Sequence, residues 1–426
     1  MNKPEIAIFW FRRDLRLTDN VALYYALKSA YPVVPLFIFD EEIIAELDED
    51  DARIQFIYNL LSEINKKLKK ENSSLKIEKG NPIEIWEKLI DNYTVKEIYF
   101  NNDYEPYAIA RDAKVAKLCK AHAIKVNSFK DQVIFEPHEI LKANGTPYKV
   151  YTPYKNKWIA NLKKTNYKSF LSEKLTANFS KQTFNFPTLK SLGFKNNTIN
   201  VKPINYKCIE NYAKTRNIPA IETSNISPHL RFGTVSIRKL VKLAISKSET
   251  YLNELIWREF FMQILFHYPT VVYANFKSKY NAIKWRNNEE DFKKWCNGKT
   301  GYALVDAGIN QLNQTGYMHN RVRMVVASFL CKHLLIDWRW GEAYFAKKLL
   351  DYELASNNGN WQWVAGTGCD AAPYFRVFNP ITQLKKFDPN LEYVTKWNPN
   401  FSDIQKIIPH QKARDRYLNE MRKSLA

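Results

Sequence analysis

The first third of the chain alternates two hydrophobic patterns. Short apolar runs stand at 6–11, 33–39, 75–77, 97–100 and 124–129, and stretches with helical spacing lie between them, near 20–30, 52–70, 82–92 and 106–121. Strands interleaved with helices predict a parallel sheet covered on both faces. No glycine precedes Gly80, so the Gly-rich turn with which a dinucleotide fold grips a pyrophosphate is missing. The pattern then changes. Residues 132–203 are rich in Lys, Asn and Ser and read as an interdomain connector with short helices, and from 204 onward the spacing is helical with few strand signals. The expected fold class is a Rossmann-like α/β N-terminal domain with a five-stranded parallel sheet and no GxGxxG, plus an all-helical C-terminal domain. The boundaries are 1–131, 132–203 and 204–426, without repeats or low-complexity segments.

Composition narrows the class. The 426 residues, 45% of them hydrophobic, suffice for two domains with separate cores. Lys+Arg 64 against Asp+Glu 44 leaves a net charge of +20, which favours a polyanionic partner held through phosphate neutralisation. The five cysteines are scattered and form no CxxC pair, which argues against disulfides, zinc or an iron–sulfur cluster and for a reducing compartment. The apolar run at the start is too short, and too soon followed by charge, for a signal peptide, and no run approaches a membrane span. A soluble, cytoplasmic protein is expected, without metal, membrane or obligate protein partner, and a monomer.

Four segments carry candidate chemistry. Residues 351–380, DYELASNNGNWQWVAGTGCDAAPYFRVFNP, read as one irregular segment of amides, glycines and tryptophans suited to holding a flat polar ring. In NELIWREFFMQIL, 253–265, Glu254, Trp257, Arg258 and Phe261 share one helix face; a carboxylate, an indole and a guanidinium there suit a pocket that stacks on a ring and bonds its polar edge. In GYMHNRVRMVVASFLCKHLLIDW, 316–338, Asn320 and Met324 lie one turn apart beside Arg323, Arg321 can reach phosphate, and Val325, Val326, Phe329 and Leu330 form the buried side. His319, at the helix start, reads as structural. TSNISPHLRFG, 223–233, offers hydroxyls and amides ahead of a helix, able to hold phosphate without a glycine cradle. No metal-ligand spacing, nucleophile elbow or P-loop occurs.

Taken together, WFRRDLRLTDN, YTPYKNKW, TSNIS, NELIWREF, GYMHNRVRM, NNGNWQW and DAAPYFRVFNP follow the order of the photolyase/cryptochrome family over nearly the whole chain. The closest resemblance is to class I cyclobutane pyrimidine dimer (CPD) photolyases. It implies an antenna role for the N-terminal domain and FAD in the helical one. By position, Tyr212, Thr223, Ser224, Asn225, Ile226, Ser227, Arg323, Asp351, Tyr352, Glu353 and Asn357 match flavin-binding positions, with Asn357 facing flavin N5 and Arg323–Asp351 an ion pair beside the ring. Trp361, Trp338 and Trp285 match the chain that carries an electron to the flavin from the surface. Glu254, Trp257, Asn320, Met324 and Trp363 match the lesion pocket, with Arg258 on the same helix face, and Arg216, Arg321 and Arg376 match DNA contacts. Glu254 is expected to be protonated, donating a hydrogen bond to the dimer.

The resemblance also separates relatives. The (6-4) photolyases have histidines at the positions of Asn320 and Met324, and DASH cryptochromes usually replace pocket tryptophans; this chain does neither. Three departures stand out. Asn225 replaces the commoner Arg, Tyr317 replaces a frequent Trp, and Tyr107-Ala108 occupies the place of the Asn-Glu pair of folate-antenna members. The second chromophore is therefore uncertain: folate is doubtful, and a deazaflavin or none fits better. The implied function is light-driven repair of UV-damaged DNA by a deoxyribodipyrimidine photolyase. A cryptochrome-type photoreceptor without repair is the alternative, disfavoured because no long C-terminal tail follows Ala426, and a flavin-free basic nucleic-acid-binding protein is a second one.

Overall fold

A computed structural model describes residues 3–165, 168–402 and 404–425. It divides the chain into two compact units: residues 1–139, 160–202 and 227–243 form the first, and residues 140–159, 203–226 and 244–426 the second. The stretch 132–203 is thus shared between them, and 227–243 belongs with the N-terminal part.

The first unit is built on five parallel strands, β1 (Glu5–Phe11), β2 (Val33–Asp40), β3 (Lys76–Gly80), β4 (Thr94–Asn101) and β5 (Lys125–Phe129), in the order β3-β2-β1-β4-β5. β1 shows why its apolar run is unbroken. Ala7, Phe9 and Phe11 face one core with Leu61, Ile64 and Leu68 of the helix Ala52–Lys70. Ile6, Ile8 and Trp10 face the other, with Trp86 and Leu89 of Pro82–Asn92 and with Val115 and Cys119 of Pro106–Ala121. Successive side chains of a strand point to opposite faces, so a strand buried on both must be apolar throughout. Asn20, Asp51 and Asn81 cap three of the helices by accepting backbone N–H bonds, as short polar side chains do at N-termini. The strands and helices expected from the sequence are all present, with ends moved by a few residues.

Among the described residues of the second unit every regular element is helical. Its largest core gathers around Ala303–Thr315, Asn320–Ser328 and Trp338–Lys348, with Trp361 and Val364 of Leu354–Ala365 packed in. Val325, Val326, Phe329 and Leu330 are fully buried there, as their spacing predicts.

One expectation fails. Residues 351–380 are not irregular throughout: Leu354–Ala365 is an α-helix ended by Gly366 in the left-handed conformation. Of the amides that argued against a helix, Asn360 Nδ2 donates back to Ser356 O (2.7 Å), but Asn358 and Gln362 bond outward. Asn358 Nδ2 donates to Val271 O (2.9 Å), Gln362 Nε2 donates to Val271 O (3.0 Å), and Gln362 Oε1 accepts from Phe276 N (2.9 Å). The helix carries its own pins for the neighbouring segment 271–276. Gly359 lacks a side chain for a packing reason, since a Cβ there would overlap the ring of Phe261 on the helix Glu249–His267.

Candidate active site

The helix Glu249–His267, capped by Ser248, carries Glu254, Trp257 and Arg258 on one face. Glu254 does not pair within its helix. Its Oε1 accepts from Arg216 Nη1 at 2.7 Å, both side chains being 30% exposed. Burial pushes the Glu254 carboxyl above its usual value, and Arg216 opposes the shift without cancelling it. The expected protonated carboxyl therefore meets a complication: Arg216, read as a phosphate contact, is engaged with the very group that must hold a proton. Arg216 also lies over the Tyr212 ring, 5.5 Å from its centre.

Trp257 stacks on Tyr151 with ring centres 3.7 Å apart and planes 7° from parallel. Tyr151 is held at both ends, its hydroxyl donating to Asn253 O (2.8 Å) and its backbone N–H to Asp370 Oδ2 (3.0 Å). One face of Trp257 is thus fixed by a backing ring. Trp363, on Leu354–Ala365, is partly buried against the main core, and its carbonyl accepts from Ala372 N (3.2 Å).

Asn320 opens the helix Asn320–Ser328 on the surface, with Met324 half-buried one turn on. His319 is the N-cap: its Nδ1 accepts from Arg321 N at 3.1 Å, and burial with the nearby Arg323 and Arg321 lowers it to about 4. It is a neutral acceptor at ordinary pH, in keeping with a structural role. Arg321 donates to Asn217 Oδ1 (2.6 Å) and lies over the Phe387 ring. Arg376 is exposed on the loop beyond Trp363.

The flavin candidates fall in two groups. Arg323 Nη2 donates to Asp351 Oδ2 (2.8 Å), and Arg323 Nε donates to Met318 O (2.8 Å). The other oxygen, Asp351 Oδ1, is buried without a protein partner among the described residues. Such an atom calls for a donor from outside the chain. Asn357 Nδ2 donates to Glu342 Oε1 (2.8 Å) and Glu342 O (3.1 Å), so its amide orientation is set by Glu342. Glu353 is buried ahead of the helix and accepts from Ser356 Oγ (2.5 Å), with Tyr352 packed against the core.

In the second group Ser224 Oγ meets Tyr251 OH at 3.0 Å, Ser224 O accepts from Asn205 N (2.9 Å), and Tyr212 packs edge-on against Tyr251. Thr223 is exposed and Ile226 buried. Asn225 takes φ +54°, the left-handed region where Asn is among the few tolerated side chains, and its Nδ2 donates to Glu222 Oε1 (3.1 Å). Ser227 begins Ser227–Arg231 and falls in the first unit. The orphaned Asp351 oxygen, the pinned Asn357 amide and the hydroxyl-bearing turn fit a polar, flat, phosphate-bearing cofactor such as FAD.

Of the three candidate relay tryptophans, Trp361 and Trp338 are almost fully buried and Trp285 partly so. Trp361 presses on the helix Trp338–Lys348 at Gly341, where a Cβ would overlap its ring. Trp338 Nε1 donates to Asn275 Oδ1 at 2.8 Å. The sequence did not single out Tyr151, Glu342 or Asn275 as partners. Tyr151 and Asn275 lie far along the chain from their partners, Glu342 is on the preceding helix from Asn357, and only YTPYKNKW hinted at Tyr151.

In the first unit Tyr107 OH donates to both oxygens of Asp40 (2.8 and 2.7 Å), and Ala108 is buried. Among the described residues no cluster could hold a metal and no helix is long and apolar enough to cross a membrane.

Residues 7–172 match the family model described as DNA photolyase, and residues 251–424 the one described as the FAD binding domain of DNA photolyase. A deoxyribodipyrimidine photo-lyase of Synechococcus sp. is 36% identical, over 93% of this chain and 88% of that protein. The crystal structure of a bacterial class III photolyase from Agrobacterium tumefaciens superposes with a TM-score of 0.88 at 31% identity, covering 100% of this chain and 98% of that one. An archaeal photolyase from Sulfolobus tokodaii, crystallised with two FAD molecules, gives 0.85 at 31% identity, covering 98% and 100%.

Proposed function

The chain belongs to the DNA photolyase family, enzymes that act on UV-damaged DNA, and we propose that it repairs cyclobutane pyrimidine dimers with light. The observation that carries this reading is the shared face of Glu254 and Trp257: a carboxyl that burial pushes towards its neutral form, one turn from an indole backed by Tyr151.

Reduced FAD supplies, when bound and excited, the electron that opens the dimer. Tyr212, the turn from Thr223 to Ser227, Arg323, Asp351, Tyr352, Glu353 and Asn357 would hold it. Asp351 Oδ1 offers an acceptor to a ring N–H, and the Asn357 amide, with its NH2 committed to Glu342, leaves its carbonyl oxygen to accept. Arg321 and Arg376 contact DNA phosphates and set the protein on the duplex without reading sequence. A pyrimidine dimer is poorly paired and stacked, so turning it out of the helix costs less than extruding a normal pair, and that difference gives selectivity.

Once extruded, the dimer meets Trp257 and Trp363 as aromatic walls, with Met324 filling the gap between irregular surfaces. Asn320 bonds the pyrimidine edge. A neutral Glu254 donates a hydrogen bond to a carbonyl oxygen where negative charge grows, and its proton strengthens that bond at the moment of reaction. Trp361, Trp338 and Trp285 serve a separate purpose, restoring the reduced cofactor from the surface. A photoreceptor without repair would have no use for a lesion pocket of this composition.

The test is to illuminate the pre-reduced protein with thymine-dimer DNA. Recovery of the base absorbance band in light and not in darkness is expected; no recovery with dimer DNA, or recovery with (6-4) photoproducts instead, contradicts the proposal.

A further inference from the structure

We propose that Lys332 is a positioning residue for DNA binding: from inside the second unit its ammonium group holds the loop 373–376, which presents Phe375 and Arg376 to solvent. This rests on the reading of Arg376 as a DNA contact.

Lys332 lies on the π-helical segment Phe329–His333 and is 1% exposed. Its Nζ donates to Arg376 O at 2.8 Å and reaches Tyr374 O at 3.5 Å, and it sits 5.6 Å from the Tyr417 ring centre. Among the described residues no carboxylate forms a salt bridge with it. A buried charge without a counter-ion costs stability, and an apolar side chain of like volume does not incur that cost. Fold stability is therefore a poor reason for a lysine here. The two carbonyls flank Phe375, and drawing them inward turns the intervening side chain outward. Phe375 is 62% exposed and Arg376 is exposed beside it. An aromatic ring next to a guanidinium is the pairing that stacks on bases and neutralises phosphate.

The group also leaves a signature. Burial lowers the Lys332 amine to about 8, with Arg376 adding to the shift. The other groups facing it are Cys331 and His333 on its own segment, Arg376 on the loop and Tyr417 on His410–Leu425. Burial pushes the Cys331 thiol and Tyr417 phenol far up and holds His333 at about 3, so all three stay neutral around the pH at which Lys332 titrates, and a guanidinium stays charged. As the ammonium loses its proton, its bonds to the carbonyls lose their charge assistance and the loop loosens. Stability moves the opposite way. The folded-state value lies below that of a free lysine, so the penalty is present below about 8 and is relieved as pH rises towards 10.5.

The experiment measures duplex affinity, melting temperature and repair kinetics of the flavin-loaded protein, for wild type, Lys332→Met and Arg376→Ala, from about pH 7 to 9. Wild-type affinity falls across that range. Lys332→Met melts no lower than wild type, binds about tenfold more weakly at neutral pH, shows a flat pH profile, and repairs with a raised KM and unchanged kcat. Wild-type-like binding by Lys332→Met, with Arg376→Ala weakened, overturns the inference and leaves the DNA reading standing. Unweakened Arg376→Ala removes that reading and the inference with it. Should Lys332→Met fail to fold, the wild-type profile decides alone, and a flat one refutes the tether.

Discussion

Glu254 has two opposing neighbours, water-poor packing that favours its neutral form and Arg216 that favours the charged one. The same cation cannot hold the carboxylate and a DNA phosphate with equal strength, so the proposed phosphate contact of Arg216 would couple DNA binding to the protonation of Glu254. Arg216→Ala removes the charge that opposes the shift. The carboxyl then titrates at higher pH, and the fall in lesion affinity with rising pH moves upward while overall affinity drops. Binding isotherms over a pH series check this, and an unmoved midpoint contradicts it. The sequence placed Glu254 and Trp257 on one face because helical periodicity is local. It could not show that Arg216, rather than Arg258, is the ion-pair partner, nor that Tyr151 backs Trp257. Such partners are brought together by tertiary packing, which leaves no periodic trace.

At the scale of elements, the inner strands β1 and β2 were legible because burial on both faces leaves a largely unbroken apolar run, while the edge strands β3 and β5 are only partly buried and showed shorter runs. The helix Leu354–Ala365 was not legible. Its Asn and Gly residues are poor helix formers by local propensity, and three of them answer to tertiary packing: Asn357 and Asn358 bond to other segments, and Gly359 admits Phe261. The contact joins the helix bearing Trp257 to the one bearing Asn357, Trp361 and Trp363. Gly359→Ala makes the two effects compete. Propensity alone would stabilise the helix by about 1 kcal/mol, whereas overpacking against a buried ring costs about 1–3 kcal/mol. Phe261 is only 4% exposed and has little room to yield, so the variant is expected to melt lower and to retain less flavin. A higher melting temperature with full flavin content would contradict the close approach.

Across the whole molecule, the +20 charge pointed to a polyanion, and family membership gives that polyanion as UV-damaged DNA. The parallel sheet and the helical part were foreseen. The sharing of residues 132–203 between the units, and the assignment of 227–243 to the N-terminal one, were not, because composition marks a surface segment and not the body it packs on. What joins the levels is the proposed placement of a pyrimidine dimer between Trp257 and Trp363, within electron-transfer reach of a flavin held by Arg323–Asp351 and Asn357. Time-resolved fluorescence of the reduced, flavin-loaded protein reads that placement. Saturating dimer-bearing DNA should shorten the flavin excited-state lifetime, while undamaged DNA of the same sequence leaves it unchanged. An equal lifetime in the two complexes, with the dimer shown to be bound, would contradict the placement.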